Sequence, residues 1–166
     1  KLNDKMKKEC TEEVALAKAE AYCSVAERCK ADVVRKLGVW GAPMASFEKI
    51  VNHLEEERYL DERRYAIAFT RDKYRFDQWG RIKIAQALKM KSISSRTVAL
   101  AMEEIDEAEY LSLLTAMLKK KWQNIKAASD YERNGKLVRF AVSRGYEMDV
   151  VLDCMRHLGC EDGNLE

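Results

Sequence analysis

At 166 residues the chain is long enough to bury a core, and 47% hydrophobic with 35% charged residues argues against disorder. Seven glycines and a single proline, Pro43, leave too few turn residues for an all-β fold and make helix the default. The net charge of +2 conceals blocks: residues 58–101 sum to +7 and residues 119–144 to +6, while residues 102–118 hold five acids and no base.

In chain order, Thr11-Glu12-Glu13 opens an alanine-rich amphipathic helix that continues through Tyr22. Val33 and Leu37 follow at helical spacing, then a break at Gly41, then Phe47 and Val51. Asp61 is an N-cap signal, with Leu60 and Tyr65 placed as a hydrophobic staple, and the helix after it sets Tyr65, Ala66, Phe69 and Phe76 as its apolar residues. Ile84 and Leu88 come next, a break at Ser92, then Val98 and Met102. The start signal returns at Asp106, with capping-box spacing to Glu109 and Ile105 paired with Tyr110, and leads into Tyr110, Leu114, Met117 and Leu118. Leu137 and Ala141, a break at Gly145, and Val151 and Met155 complete the series.

These positions repeat. A shift of 53 residues carries Ile84, Leu88, Ile93, Val98 and Met102 onto Leu137, Ala141, Tyr146, Val151 and Met155, and a shift of 51 carries Val33, Leu37, Phe47 and Val51 onto Ile84, Leu88, Val98 and Met102. Apolar residues at i and i+4, a break at i+8 and a second stripe at i+14 and i+18 describe a helical hairpin whose break favours a left-handed residue. With a longer helix before each hairpin, the expectation is an all-α protein of three tandem three-helix repeats, at 1–57, 58–105 and 106–166, forming an elongated, curved array.

The five cysteines are odd in number and lack a CxxC pair, which points to reduced thiols and a cytoplasmic setting. No apolar run approaches the ~20 residues of a membrane span, and no secretory leader is visible. Cys154, His157 and Cys160 form a C-x2-H-x2-C run, but zinc sites usually have four ligands, so no metal and no cofactor is expected. GxxxxGK[ST], GxSxG and HExxH are all absent, and the reading is of a non-enzyme without a small-molecule substrate. Trp40, Trp79 and Trp122 each lie near a helix end and are expected to serve packing rather than base stacking.

The basic blocks are the candidate function. Arg64, Arg71 and Arg75 share one helical stripe, Arg81 and Lys89 a second, with Arg63, Lys73, Lys83 and Lys91 near them. Lys136, Arg139 and Arg144, beside the run Lys119-Lys120-Lys121 and Lys126, extend the positive surface. For any one side chain a solvated surface is the simpler reading, but a net +7 block points to an anionic partner, either nucleic-acid phosphate or an acidic protein surface.

The run Glu56–Ala66, with Phe69-Thr70-Arg71-Asp72-Lys73, resembles the signature region of the RecX family, regulators of the RecA recombinase. Trp79–Ile84 with Ala87-Leu88, Lys136–Phe140 and Ser143–Tyr146 resemble that family's following segments, over residues 12–158 in all. Two departures stand out: Ser92 occupies a break where relatives often carry glycine, and Gly38–Pro43 looks irregular for a simple turn. The resemblance implies tandem three-helix units and inhibition of RecA, by lodging in the RecA–DNA filament groove or blocking its growing end, which suppresses ATP hydrolysis and strand exchange. It implies the RecA filament as partner, with weak direct contact to DNA, and a role in recombination, DNA repair and the SOS response. The basic residues Arg63, Arg64, Arg71, Lys73, Arg75, Lys83, Lys89, Lys91, Lys136, Arg139 and Arg144 would form the contact face. An autonomous nucleic-acid-binding helical protein is the alternative, and a helical scaffold with an apolar groove is a third reading.

Overall fold

A computed structural model describes the backbone of residues 9–162 and side chains through residue 159; Cys160 of the C-x2-H-x2-C run therefore has its side chain outside the described residues. Among the described residues there is no strand. The helices are α1 (Glu12–Val25), α2 (Lys30–Trp40), α3 (Phe47–Glu56), α4 (Glu62–Arg75), α5 (Arg81–Met90), α6 (Ser95–Glu103), α7 (Glu107–Asn124), α8 (Asp130–Ser143) and α9 (Met148–Asp162). A 3₁₀ turn, Met44–Ser46, follows Pro43 and accounts for the irregular stretch after α2.

The starts are capped as the sequence suggests. Thr11 accepts from the Val14 amide at 3.3 Å, Asp61 from Arg64 at 2.9 Å and Asp106 from Glu109 at 2.8 Å. The Asp106 box is not closed by Glu109, whose carboxylate is engaged by Tyr74 and Arg75 instead. All three repeat breaks adopt the left-handed conformation: Gly41 at φ +76°, Ser92 at +61° and Gly145 at +92°. Two of them close identically. Ala42 donates to the Leu37 carbonyl at 3.0 Å and Tyr146 to that of Ala141 at 3.2 Å, each using one of the carbonyls a helix end leaves unpaired.

The described residues divide into two compact units. The first runs to Tyr65 and includes Lys91–Ile93; the second takes Ala66–Met90 and everything from Ser94 on. In the first, Ala15, Ala19 and Cys23 of α1, Val33 and Leu37 of α2 and Ile50, Val51 and Leu54 of α3 form one apolar core. Each helix contributes a single stripe, so burial rather than propensity holds it. Lys91 of this unit sets its ammonium 2.8 Å from the Asp32 carboxylate.

In the second unit Ile84, Leu88, Leu114, Leu118, Leu137, Ala141 and Val151 are fully buried. Three buried tyrosines form a ladder, Tyr74 to Tyr110 at 6.4 Å and Tyr110 to Tyr146 at 5.4 Å between ring centres. Tyr74 takes the inward place that the sequence reading gave to Phe76. Helix α4 ends at Arg75, and Phe76 beyond it is 77% exposed. The loop before α5 is bonded to the loop before α9: Gly80 donates to the Arg144 carbonyl at 2.8 Å and Ile82 to that of Gly145 at 3.0 Å. A side chain on Gly80 would collide with the Gly145 backbone, and one on Gly145 with Lys83.

Candidate anion-binding interface

Arg81 is the most heavily engaged cation. Its backbone amide donates to the Tyr110 hydroxyl at 3.1 Å, and that hydroxyl donates to Glu147 at 2.7 Å. Its guanidinium lies 4.0 Å over the Tyr110 ring, binds Glu147 at 2.9 Å and also binds Glu107. Burial works against the charge, but the two carboxylates outweigh it and hold Arg81 protonated. Burial in turn pushes the Tyr110 phenol well above its ordinary value. This residue is a structural strut.

The eleven residues assigned to the basic face fall in both units: Arg63, Arg64 and Lys91 in the first, the other eight in the second. Six face carboxylates. Arg64 lies 2.5 Å from Glu27, Arg71 3.6 Å from Glu104, Lys73 2.8 Å from Asp77, Arg75 2.7 Å from Glu109, Lys91 2.8 Å from Asp32 and Lys136 3.2 Å from Glu132. Arg75 and Glu109 are joined by two bonds, which draws the Glu109 carboxyl below the ordinary carboxylate range. Among the described residues, Arg63, Lys83, Lys89, Arg139 and Arg144 have no carboxylate within 4 Å.

In the second unit two of these, Lys83 and Arg144, lie on aromatic rings, joined there by Lys73 and Lys121. Trp79 is half-buried, edge-on to Phe69 at 6.4 Å. Lys73 lies 4.6 Å and Lys83 4.4 Å from its ring centre. Arg144 donates to the Asp77 carbonyl at 3.0 Å and lies 5.9 Å from Phe140, which has Lys121 at 4.5 Å. The strip therefore comprises Lys73 and Lys83 at Trp79, with Phe69 beside that ring, and Arg144 and Lys121 at Phe140. Cations held over rings keep their charge outward with restricted motion, an arrangement suited to an anionic partner.

The three tryptophans are half-buried rather than core residues, each with a cation at its ring: Lys18 at Trp40, Lys73 and Lys83 at Trp79, Arg133 at Trp122. Lys121 was read in the sequence as part of a basic run, but its seat on Phe140 was not, because that pair is made between α7 and α8; the role of Trp79 was missed because it lies in the loop between α4 and α5, where periodicity says nothing. Among the described residues no cluster of His, Cys, Asp or Glu is arranged to hold a metal ion, and no helix is long and apolar enough to cross a membrane.

Comparison with known proteins supplies the lineage. Residues 61–102 match the model for the second three-helix domain of RecX, and residues 107–155 that for the third. A regulatory protein RecX of Vibrio campbellii is 31% identical over 120 residues, covering 72% of this chain and 76% of that protein. A regulatory protein RecX of Clostridium botulinum strain Eklund 17B is 28% identical over 123 residues, covering 73% of this chain; the chain spans 57% of that relative's length. The crystal structure of RecX from Lactobacillus salivarius superposes with a TM-score of 0.80 at 17% identity, over 90% of this chain and 97% of that one, which shows the fold. With two domain models matched over more than half of the chain and a relative 31% identical over 72% of it, the chain belongs to the RecX family of regulatory proteins.

Proposed function

We propose that this chain binds the filament of the RecA recombinase in the cytoplasm and inhibits its ATPase, recombinase and strand-exchange activities, thereby modulating recombination, DNA repair and the SOS response. Family membership supports the choice of partner. The observation that carries the binding reading is the cation–aromatic strip, where Lys83, Lys121 and Arg144 present charge with no carboxylate among the described residues within 4 Å. A RecA–DNA filament offers both acidic protein surface and phosphate to such a strip. Arg71, Arg75 and Lys136, already opposite carboxylates, contribute less, since an ion pair must be broken before a new one forms.

The test is RecA ATPase on single-stranded DNA titrated with the chain at low salt. The wild type is expected to suppress hydrolysis, and Lys83→Glu/Lys89→Glu/Lys121→Glu to weaken suppression by about tenfold or more. Unchanged inhibition by the triple variant sinks the proposal. The second reading is direct nucleic-acid binding without RecA, favoured by the half-buried rings of Trp79 and Phe140 within the strip. It requires DNA affinity in the absence of RecA that falls steeply with salt.

A further inference from the structure

Helices α1 and α2 lie outside both matched domain spans, and between Glu12 and Trp40 they hold five basic and five acidic residues. No charge block marks them in the sequence. The fold, however, sorts their charges. Four of the carboxylates are engaged within the first unit: Glu12 by Lys49 at 3.0 Å, Glu20 by His53 and Tyr59 at 3.2 Å each, Glu27 by Arg64 at 2.5 Å and Asp32 by Lys91 at 2.8 Å.

Three of the cations go to rings instead. Lys18 of α1 lies 5.8 Å from the Trp40 ring of α2, and Lys36 of α2 lies 5.5 Å from the Tyr22 ring of α1. The two rings meet edge to face at 6.2 Å. Arg28, in the connection between the helices, sets its guanidinium 4.0 Å over Tyr22 and donates through Nε to the Tyr22 carbonyl at 3.3 Å. Among the described residues none of Lys18, Arg28 and Lys36 has a carboxylate within 4 Å. Lys18 with Tyr22, and Lys36 with Trp40, are each spaced i to i+4, so each helix presents a cation and a ring on one face, and the pairs cross.

Tyr22 and Trp40 pack their inner sides against the core of the unit. What this face adds is charge: two ammonium groups and a guanidinium whose Nη atoms bond to none of the described residues and suit a two-pronged bond to an oxyanion. Rings and backbone already restrain these groups, so little freedom is lost on binding. Several fixed cations interleaved with aromatic edges match a sugar–phosphate chain carrying planar bases better than an isolated anion. We infer that the α1–α2 face of the first unit is a contact surface for the phosphate backbone of single-stranded nucleic acid, separate from the strip of the second unit.

The full 166-residue chain, labelled with ¹⁵N, is titrated at low salt with an oligothymidylate of about 12 nucleotides. The Trp40 indole and the amides of Lys18, Tyr22, Arg28 and Lys36 are expected to shift and saturate. In Lys18→Gln/Arg28→Gln/Lys36→Gln, whose spectral dispersion checks its folding, that saturation weakens by about tenfold or more. Signals of residues 66–90 and 94–159 report the second unit in the same spectra, so its binding is read independently. The inference is overturned if the α1–α2 signals do not move, if the triple variant responds like the wild type, or if polyglutamate of equal charge produces the same saturating shifts. The last result would identify an acidic protein as the partner.

Discussion

Ser92 sits at the second repeat break with φ +61°, in the conformation that Gly41 and Gly145 supply at the other two. A side chain in this region costs roughly 1 kcal/mol through contact between Cβ and the backbone. Ser92 is exposed, so nothing is lost from the core by removing its side chain. Ser92→Gly is expected to raise the unfolding free energy by about 0.5–1 kcal/mol, after the greater freedom of glycine in the unfolded chain is counted. Urea melts of the two proteins check this, and a destabilised variant would show that the hydroxyl is needed. The break itself was legible in the sequence because i+8 from two apolar residues is a local pattern. Phe76 was misread for an equally local reason. An apolar residue one step beyond a helix end looks periodic, and only the end at Arg75 reveals that Tyr74 holds the inward position.

Among the elements, α5 and α7 depend on a single hydroxyl. Tyr110 accepts from the Arg81 amide at the start of α5 and donates to Glu147 just before α9. Tyr110→Phe keeps the ring in the tyrosine ladder and removes both bonds. It leaves a first-turn amide of α5 and one oxygen of Glu147 without this partner. A loss of about 1–3 kcal/mol is expected in chemical denaturation, with ring packing retained in the near-ultraviolet circular dichroism. A loss below the error of the measurement would assign the coupling to the Arg81 guanidinium alone. Helix positions could be read from stripes and caps, which act over a few residues. These couplings could not: Arg81 and Glu147 are 66 residues apart, Arg75 and Glu109 34, and Lys91 and Asp32 59. For the same reason a basic block in sequence overstated the available charge, since four of its six neutralising carboxylates, Glu27, Asp32, Glu104 and Glu109, come from distant parts of the chain.

Over the whole molecule, acid tolerance should follow the carboxylates that accept these cations. Glu109 is held below its ordinary value by Arg75, and Glu132 by the Ala128 amide and Lys136. Asp32 is raised by burial, but Lys91 and Cys29 reverse that and leave it below 3.8. A carboxyl with a depressed folded pKa binds its proton more readily in the unfolded chain. Its contribution is therefore complete above the unfolded value, near 4, and is lost as pH falls through the lower folded value. Stability is expected to be flat from neutral pH to about 5 and to decline below about 4. Asp32→Asn should be less stable at neutral pH and lose less on acidification. An unchanged slope would remove Asp32 from the account.

The contact between the loops at Gly80 and Gly145 carries a consequence for how such a chain diversifies. Each glycine is required by the backbone or Cβ of the other's loop, and two main-chain bonds fix the distance between them. A larger residue at either place is tolerated only if the segment facing it retreats, the Gly145–Tyr146 backbone for Gly80 and Lys83 for Gly145, so acceptable changes must arrive as compensated pairs. Insertions in either loop meet the same barrier, which directs length variation in this lineage toward other connections.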